Sequence, residues 1–455
     1  MNLYSTYSCK IKDYSRVFRD TAAVYRHAVD FLIDVCLKEW NGISAVNGST
    51  NQVMYVEHLV HKTKERPTVH YDFDRNFYKF PSYLLRSAIS EAIGKVSSYK
   101  SNIMNWNAAD PKTRGRKPSS PSAGFCYPCL YKDNMYRKTG IYTARIKVYI
   151  RNTWDWIDIS LRKSDVDYID RHCCEFTADN HDTAALRKRT VCCPTLQKRG
   201  REWFLDFPVN ETVRLNDVNT TEQTIAAVDL GINNACAVSI MTSGGTILGR
   251  EFLSLPSETD SLSHAVNRIK KAQQHGNLKT PRLWAKANGI NDRIAVLTAE
   301  FIIDKAVLYS VDTIVFEHLD LNGKKYGSKK WKLHLWKSRS VQEMVSNKAH
   351  RIGLRVSHVC AWNTSRLAYD GSGSVERGRE AGLGSYSVCR FKSGKIYNCD
   401  LNASYNIGAR YFIREIMKSL PVKAGLDIPA KVPECTRRST CTLSTLISLN
   451  AVLAA

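Results

Sequence analysis

The chain has 455 residues, 43% of them hydrophobic, and carries 66 lysines and arginines against 43 aspartates and glutamates, a formal net charge of +23. This length predicts two to four domains. The excess of cations favours a polyanionic partner, most simply a nucleic acid. The alternative is that the chain is a ribosomal or other soluble basic protein. No stretch approaches the roughly 20 apolar residues of a membrane span, and residues 1–5 open no signal-peptide core, so we expect an intracellular protein whose 14 cysteines are thiols or metal ligands.

The first part of the chain, up to about residue 220, mixes helix and strand patterns. Residues 4–11 are typical of a strand, and residues 82–106 of a helix. Between them, apolar residues recur at spacings of three and four, which predicts an amphipathic helix. Its buried face would consist of Phe18, Ala22, Tyr25, Val29, Leu32 and Cys36.

A loop is predicted at residues 110–121, where Pro, Gly and Ser accompany four cations. Arg114, Arg116 and Lys117 are candidate contacts to nucleic-acid phosphates. An ordinary solvated linker is the alternative. Just beyond it, Cys126 and Cys129 form a Cys-x-x-Cys pair without an obvious second pair, which favours a structural role.

Residues 125–209 alternate between apolar and polar side chains, which predicts β-strands. The clearest examples are Ile146, Val148 and Ile150, and then Trp203, Leu205 and Phe207. Such strands suit a small antiparallel barrel that holds nucleic acid on its outside. A plain barrel with solvated Lys and Arg side chains is the alternative.

The pattern changes to α/β at Thr224. A short buried strand ends at Asp229, Gly231 supplies a turn, and residues 235–241 and 246–255 return as strands. A long helix follows and leads to a strand, residues 313–317, that ends at Glu317. The apolar face predicted for that helix consists of Ile290, Ile294, Leu297, Phe301 and Leu308.

A basic, aromatic stretch follows Glu317. Its candidate nucleic-acid contacts are Lys330, Trp331 and Trp336, since tryptophans stack on the bases of single strands. Core packing is the alternative for the two tryptophans. A helix is predicted to follow Asp400, and the last 35 to 40 residues, rich in Ser, Thr and Pro, are predicted to form a poorly ordered tail.

Three carboxylates, Asp229, Glu317 and Asp400, lie at the ends of predicted elements that are far apart in the chain. Together they could bind two Mg²⁺ ions, which prefer oxygen ligands and support phosphodiester hydrolysis. Each has a simpler interpretation alone: Asp229 as a turn residue, Glu317 as a surface acid, and Asp400 as the cap of the helix that follows. Their order in a basic chain favours the shared site.

The segments around these acids resemble a known family. Asp229-Leu230-Gly231-Ile232-Asn233-Asn234, Ile314-Val315-Phe316-Glu317-His318-Leu319 and Asp400-Leu401-Asn402-Ala403-Ser404-Tyr405-Asn406-Ile407 are similar to the three parts of the RuvC nuclease of TnpB proteins. Compact type V CRISPR effectors and the eukaryotic Fanzor proteins share that domain. The specific resemblance covers about residues 224–415, whereas the first 220 residues match in character only.

The resemblance implies an RNA-guided DNA endonuclease. A guide RNA would pair with the target strand of double-stranded DNA that carries a short flanking motif, and a single RuvC site would cut by two-metal-ion hydrolysis. Asp229, Glu317 and Asp400 would bind two Mg²⁺ ions, for which Mn²⁺ could substitute, and Asn402 would position the metal or orient its helix. The alternatives are an RNA-guided DNA-binding regulator without efficient cleavage and a guide-free RNase H-fold transposase.

One part of the chain departs from the family pattern. Where the family carries a zinc ribbon of two Cys-x-x-Cys knuckles, residues 366–371 replace the first knuckle, and only Cys389 and Cys399 remain of the second. Cys360 and His358 could complete a Cys₃His set, but the spacing fits no closed tetrahedral pattern. We therefore expect a metal-free remnant and no zinc.

The predicted fold is thus α+β and multidomain: a wedge-like N-terminal β-barrel with an inserted helical recognition domain, then an RNase H-like (RuvC) α/β domain with a degenerate zinc-ribbon-like insertion. We expect the cytoplasm of a prokaryote, at the nucleoid, or the nucleus of a eukaryote. Oligomeric state, guide, flanking motif and a transposon or CRISPR origin stay open. The predicted boundaries are 1–13 for the first barrel strand, 14–122 for the helical domain, 123–220 for the barrel, 221–357 and 400–416 for the two RuvC parts, 358–399 for the insertion and 417–455 for a disordered tail.

Overall fold

A computed structural model describes most of the chain: residues 1–13, 15–111, 114–173, 189–219, 222–231, 234–319, 336–378, 381–420, 432–436 and 439–454. The chain divides into two compact units, Asn2–Thr212 and Val213–Ala455, with Met1 belonging to the second unit. No helix within these described ranges combines the length and apolar character that crossing a membrane requires.

The first unit contains six helices and seven strands among its described residues. The helices are α1 (Arg16–Lys38), α2 (Trp40–Ala45), α3 (Ser49–Val60), α4 (Phe73–Asn76), α5 (Ser82–Ala108) and α6 (Lys163–Cys173). The strands are β1 (Asn2–Lys10), β2 (Tyr136–Lys138), β3 (Thr143–Ile150), β4 (Thr153–Ser160), β5 (Arg189–Val191), β6 (Thr195–Arg199) and β7 (Glu202–Thr212).

The apolar face predicted for α1 is confirmed, because all six of its residues are buried. The side chain of Ser15 accepts a hydrogen bond from the backbone N–H of Val17 and caps the start of this helix. The alternation predicted for β7 is also confirmed, since Trp203, Leu205 and Phe207 all point into the core.

The predicted closed β-barrel is not found among the described residues of the first unit. Hydrogen bonds divide its strands into two sheets: β1, β5 and β6 all pair with β7, and β2, β3 and β4 form a separate sheet. Isolated bridges, such as Ile11 with Leu161, add only local contacts between strand ends. Alternation of side chains predicts which residues face a core, but it does not specify which strands pair. For this reason it led to the prediction of a closed barrel where the strands form two sheets.

The second unit contains eight strands and five helices among its described residues. The strands are β8 (Thr224–Leu230), β9 (Cys236–Thr242), β10 (Ile247–Leu253), β11 (Thr313–His318), β12 (Arg355–Cys360), β13 (Glu376–Arg377), β14 (Val388–Arg390) and β15 (Ile396–Asn398). The helices are α7 (Pro256–Gln274), α8 (Pro281–Leu308), α9 (Ser338–Arg351), α10 (Cys399–Ser419) and α11 (Leu443–Ala454).

A five-stranded sheet in the order β10-β9-β8-β11-β12 forms the centre of this unit. Strands β8, β9 and β10 are antiparallel neighbours, whereas β8, β11 and β12 run parallel. Alternate residues of β8 face opposite layers. Ile225 and Ala227 pack with α10, and Ala226 and Val228 pack with α8 and α9. The sheet is therefore covered on both faces.

The face predicted for α8 is confirmed only in part, since Ile290, Ile294, Leu297 and Phe301 are half-buried at the margins of the contact. Leu308 is 67% exposed, whereas the buried positions are mostly small: Ala287, Asn291, Ala295, Thr298, Ala299, Ile302 and Ala306. Small residues allow a helix to approach its neighbours closely, and the larger apolar residues then lie at the margins of the contact. A prediction that favours large apolar residues then identifies the residues at the margins of the contact and misses the small residues at its centre.

The prediction of a disordered tail at 417–455 is wrong for the described part of that segment. Helix α10 continues to Ser419, and α11 occupies Leu443–Ala454. Leu446 and Leu449 of α11 are fully buried in the same cluster as Phe412 of α10. The Ser and Thr content suggested disorder, but apolar residues spaced by three form one packed face.

Truncation of Leu446 tests whether α11 is an integral part of the core. Leu446→Ala is expected to destabilise the protein by about 2–5 kcal/mol, because it leaves a cavity under α11. Ile447→Ala is the matched control on the same helix, where the side chain is 51% exposed, and its effect should be within about 1 kcal/mol. Urea unfolding measures both, and equal small effects would contradict the packing of α11.

Candidate active site

Asp229 and Glu317 lie at the carboxyl ends of two adjacent parallel strands. Val228 of β8 is in register with Phe316 of β11, and each acid is the next residue on its strand. Neighbouring parallel strands are about 4.8 Å apart, so the two acids lie side by side at one edge of the sheet. The interpretation of Asp229 as a turn residue is wrong, because it pairs with Ala237 inside the β8–β9 ladder.

Asp400 is brought to the same edge by α10. The capping interpretation of Asp400 is wrong: Asn398 is the cap, and its side-chain oxygen accepts hydrogen bonds from the backbone N–H groups of Asp400 (2.9 Å) and Leu401 (3.0 Å). The Asp400 carboxylate instead accepts a 2.9 Å hydrogen bond from the Asn234 amide, at the start of the return from β8 to β9. This contact joins the first and third acidic segments.

Glycine at position 231 allows the turn that places Asn234. A Cβ atom at this position would lie 2.5 Å from the carbonyl oxygen of Asn234, closer than any real contact. The glycine therefore permits the chain to fold back immediately after β8. The sequence predicted a turn here, and the structure adds that the turn presents an amide to Asp400.

The electrostatics agree with three acids that share one environment. The pKa of Asp229 is raised well above its usual value, first by desolvation and then by the negative charges of Glu317 and Asp400. Desolvation also raises the pKa of Glu317, against a hydrogen bond from Thr364 and the positive charge of Arg410. Within the described ranges, however, no three His, Cys, Asp or Glu side chains are already arranged as a set that could hold a metal ion.

The donor set nevertheless fits magnesium chemically. All three side chains offer hard, negatively charged oxygen ligands, the type that Mg²⁺ prefers. Burial first, and then the negative charges of Glu317 and Asp400, raise the pKa of Asp229, so a cation beside it would be favourable. Two of the acids are also held by other groups, Glu317 by the Thr364 hydroxyl and Asp400 by Asn234.

Arg377 is a candidate site residue that the sequence analysis missed. Its positive charge lowers the pKa of Asp229, and it lies in β13 of the small three-stranded sheet of the insertion. Its Nη2 donates to the carbonyl of Ser365, while its buried Nε has no hydrogen-bond partner in the part of the chain that the structure describes. A lone arginine in a loop-rich insertion gives no sequence signal; only the fold places it beside the acids.

Asn402 connects the insertion to α10. It is fully buried, its oxygen accepts from the N–H of Tyr369 (2.8 Å), and its amide donates to the carbonyl of Leu367 (2.8 Å). Asn406, one turn later, donates to the carbonyls of Thr364 and Leu367, both at 2.9 Å. Both asparagines therefore fix the backbone that carries Thr364, the hydrogen-bond partner of Glu317.

The insertion is held together by apolar packing. Strands β13, β14 and β15 form a three-stranded sheet, and Cys389 and Cys399 are buried with Ala368 and Phe391 in a small core. No Cys₃His group suited to a metal occurs among the residues that the structure describes.

The remaining candidate nucleic-acid residues have different surroundings. The Arg114 guanidinium lies 3.8 Å from the ring centroid of Trp106, and Arg116 and Lys117 are exposed. Trp336 packs against the core beneath β8 and β11, as in the core-packing alternative. Lys330 and Trp331 lie outside the described residues.

Comparisons with known proteins identify similar sequences and a similar fold. The sequence model of the Aq_aa04 family matches residues 5–150. The TnpB-like protein aq_aa05 of Aquifex aeolicus strain VF5 is 28% identical over 236 residues, which cover 46% of this chain and 74% of that protein. A cryo-EM structure of a Cas12f1-sgRNA-target DNA complex matches with a TM-score of 0.51 and 14% identity, covering 86% of this chain and 81% of that chain.

The structural match defines the class: a mixed α+β, multidomain fold that resembles the Cas12 effectors. The relative identified by sequence then gives a narrower comparison than the fold alone. The chain is thus similar in sequence to a TnpB-like protein, in agreement with the resemblance that the sequence analysis stated.

Gly231→Ala tests the turn that links Asn234 to Asp400. The added Cβ would collide with the Asn234 carbonyl, so we expect a loss of about 1–3 kcal/mol of stability. Gly289→Ala is the control, because Gly289 lies inside α8 and a Cβ there meets no other described atom within 4 Å. That control should be neutral or up to about 1 kcal/mol more stable. Equal urea midpoints for the two variants would refute the role of Gly231.

Asp229→Asn is expected to stabilise the metal-free protein, increasingly so as the pH rises. A carboxyl group whose pKa is raised by folding favours the folded state below its unfolded pKa of about 4, and this contribution is lost as the pH rises through the folded pKa. At pH 8 the wild type therefore carries the cost of burying an ionisable carboxyl group, which asparagine removes.

Urea midpoints between pH 5 and pH 8, in buffer with a chelator, measure this effect. The control is Asp260→Asn, at an exposed position of α7, which should follow the wild type at every pH. A gain for Asp229→Asn that does not change with pH would show that charge is not its cause.

Proposed function

We propose that this protein is an RNA-guided, Mg²⁺-dependent DNA endonuclease that cuts at one site formed by Asp229, Glu317 and Asp400. The observation that carries the proposal is the convergence of the three acids at one sheet edge, where the charges of Glu317 and Asp400 both act on Asp229. The three acids are separated by 88 and 83 residues in the chain, and packing alone does not require them to lie together. A cluster of acids that raises the pKa of one member is typical of a functional site.

The architecture supports the RuvC assignment within this proposal. A sheet with three antiparallel strands followed by two parallel ones, in the order β10-β9-β8-β11-β12, is what an RNase H-like domain requires. In such a sheet the carboxyl ends of the central strands offer a site for a ligand. The insertion between β12 and α10 would complete the site through Thr364 and Arg377.

The partners follow from charge and from the similar structure. That structure is a complex with an sgRNA and target DNA, and we assign the same classes of partner, a guide RNA and double-stranded DNA, to this chain. A net charge of +23 suits a protein that binds a long heteroduplex through its phosphates. The helices and sheets of the first unit would hold the RNA and read the short motif beside the target.

The side chains have distinct tasks in this proposal. Asp229, Glu317 and Asp400 would hold two Mg²⁺ ions, which supply positive charge to the phosphate and lower the pKa of bound water. Thr364 fixes the orientation of Glu317, and Asn234 fixes that of Asp400. Arg377 keeps the pKa of Asp229 from rising further, which favours its ionised form at neutral pH.

An RNA-guided DNA-binding regulator that does not cut is the second candidate. It is favoured by one observation: within the described residues, the three acids are not yet arranged as a metal-ready set. Such a protein would keep its guide RNA and its DNA binding, and would lack cleavage with every metal tested.

The test combines RNA sequencing with plasmid cleavage. The protein is purified from its source cells, the RNA that accompanies it is sequenced, and a plasmid carrying the matching sequence is offered with Mg²⁺ or Mn²⁺. Changes around a metal ligand alone cost about 10–100-fold, so Asp229→Ala should lower the rate by more than about 100-fold. Asp260→Ala, an exposed acid of α7, should cut like the wild type.

The outcomes separate the candidates. A discrete RNA without cleavage favours the regulator, and cleavage without any RNA favours a guide-free nuclease or transposase. Metal-dependent cutting by purified Asp229→Ala protein would remove the site assignment.

A further inference from the structure

A second concave surface adjoins the candidate active site on the far side of Glu317. A cavity of about 890 Å³ lies beyond the carboxyl ends of β11 and β12 and along α10. It shares one wall with the acids, because Arg410 lines the cavity and also lowers the pKa of Glu317 through its positive charge. The proposed catalytic chemistry uses no part of this cavity.

The cavity walls are largely apolar and include one large aromatic ring. Val359, Ile413 and Met417 contribute apolar surface, and Trp362, which follows β12, contributes an indole that is 62% exposed. The backbone at Trp362 is fixed, since its carbonyl oxygen accepts a 2.8 Å hydrogen bond from Arg410. An exposed indole on an anchored loop can stack on a flat ligand at little entropic cost.

Positive charge at this surface exceeds negative charge. Within the described chain, Arg410 donates hydrogen bonds to backbone carbonyls, and no carboxylate accepts one from it. The acceptors are the carbonyl oxygens of Cys360 (2.7 Å), Trp362 (2.8 Å), Cys441 (3.1 Å) and Ser439 (3.1 Å). Such a burial of charge is costly unless an anion lies nearby. Glu317 is one such anion on the active-site side.

Two further cations on α10 share a single acid. Arg414 and Lys418 both contact the same carboxylate oxygen of Glu415, at 2.7 Å and 3.3 Å. The Lys418 side chain remains 63% exposed. Three cations therefore face two carboxylates, Glu317 beside Arg410 and Glu415 beside Arg414 and Lys418, and the cavity rim attracts an anion.

We infer that this cavity binds one nucleotide of the single-stranded DNA that passes through the candidate active site. The base would lie against Trp362 and the apolar wall, and the adjoining phosphate would approach Lys418 and Arg414. An apolar pocket with a flat aromatic surface and a cationic rim complements a nucleotide, which has a flat base and one negative charge. The identification of the ligand as single-stranded DNA rests on the proposed function. The existence of the binding site does not.

Photocrosslinking tests the site without requiring cleavage. The purified full-length protein is irradiated with a short single-stranded DNA that contains 5-iodo-2′-deoxyuridine, without divalent metal, and the crosslinked peptides are identified by mass spectrometry. We expect a crosslink on the peptide that contains Trp362. Stacking contributes about 1–3 kcal/mol per base, so Trp362→Ala should reduce this crosslink at least about fivefold.

Two variants control the result. Trp362→Phe keeps a flat ring and should retain most of the DNA affinity, measured by fluorescence anisotropy, whereas Trp362→Ala should not. Trp284→Ala removes another partly exposed indole, 39% exposed on α8, and should bind and crosslink at position 362 as the wild type does. Thermal melts show whether each variant is folded, and the phenylalanine variant keeps the test decisive if the alanine variant is not.

The contrary outcomes are distinct from failure of the proposed function. Crosslinks that map only elsewhere, or equal DNA affinity for Trp362→Ala and Trp284→Ala, would overturn the inference even if plasmid cleavage succeeds. A crosslink at Trp362 in a protein that never cuts would support the cavity and refute only the nuclease. A matching RNA oligonucleotide that crosslinks there while DNA does not would overturn the assignment to DNA.

Discussion

The packing of α10 against β8 and β9 is the constraint on which the candidate site depends. Gly408 lies so close to the sheet that a Cβ there would be 3.0 Å from the sulfur of Met241 and 3.2 Å from the Cβ of Ala227. A buried hydrogen bond between the hydroxyls of Ser239 and Ser404 fixes the helix along its axis. Because Asp400 is in the first turn of this helix and Asp229 is on β8, any slippage of α10 would separate the acids. The small residues at this contact are therefore as important to the site as the carboxylates themselves.

Bringing three acids together has an electrostatic cost that the surrounding structure offsets only in part. Desolvation and mutual repulsion raise the pKa of Asp229. Arg377 and Arg410 counter this from opposite sides, Arg377 at Asp229 and Arg410 at Glu317. In the described structure, both arginines donate hydrogen bonds to backbone carbonyls and not to the acids. Among the described contacts, the carboxylates thus feel positive charge without a direct bond to either arginine, while Thr364 donates to Glu317 and Asn234 donates to Asp400. This is the arrangement expected of a site that binds cations and not of one that is stable as an ion-pair network.

The sequence predicted the parts of this design that are local in character. Strand ends at Asp229 and Glu317, the helix after Asp400 and the order of the acids all follow from short patterns. The parts that it did not predict depend on long-range contacts. Asn398 rather than Asp400 caps α10, because capping depends on which residue has the extended backbone. Arg377 reaches Asp229 only through the pairing of β13 with β14. The buried face of α8 consists of small residues whose importance appears only when the neighbouring elements are known.

The insertion is connected to α10 by packing and by hydrogen bonds. Cys389, Cys399 and Phe391 form a small apolar core, and the rings of Tyr369 and Tyr397 pack against it. Tyr397 is hydrogen-bonded to Tyr405 of α10 at 2.9 Å, and Arg250 of β10 donates to the same Tyr405 hydroxyl at 2.6 Å. These contacts, together with Asn402 and Asn406, tie the insertion to the helix that carries Asp400. Positioning of Thr364 and Arg377 therefore depends on the same helix as the third acid.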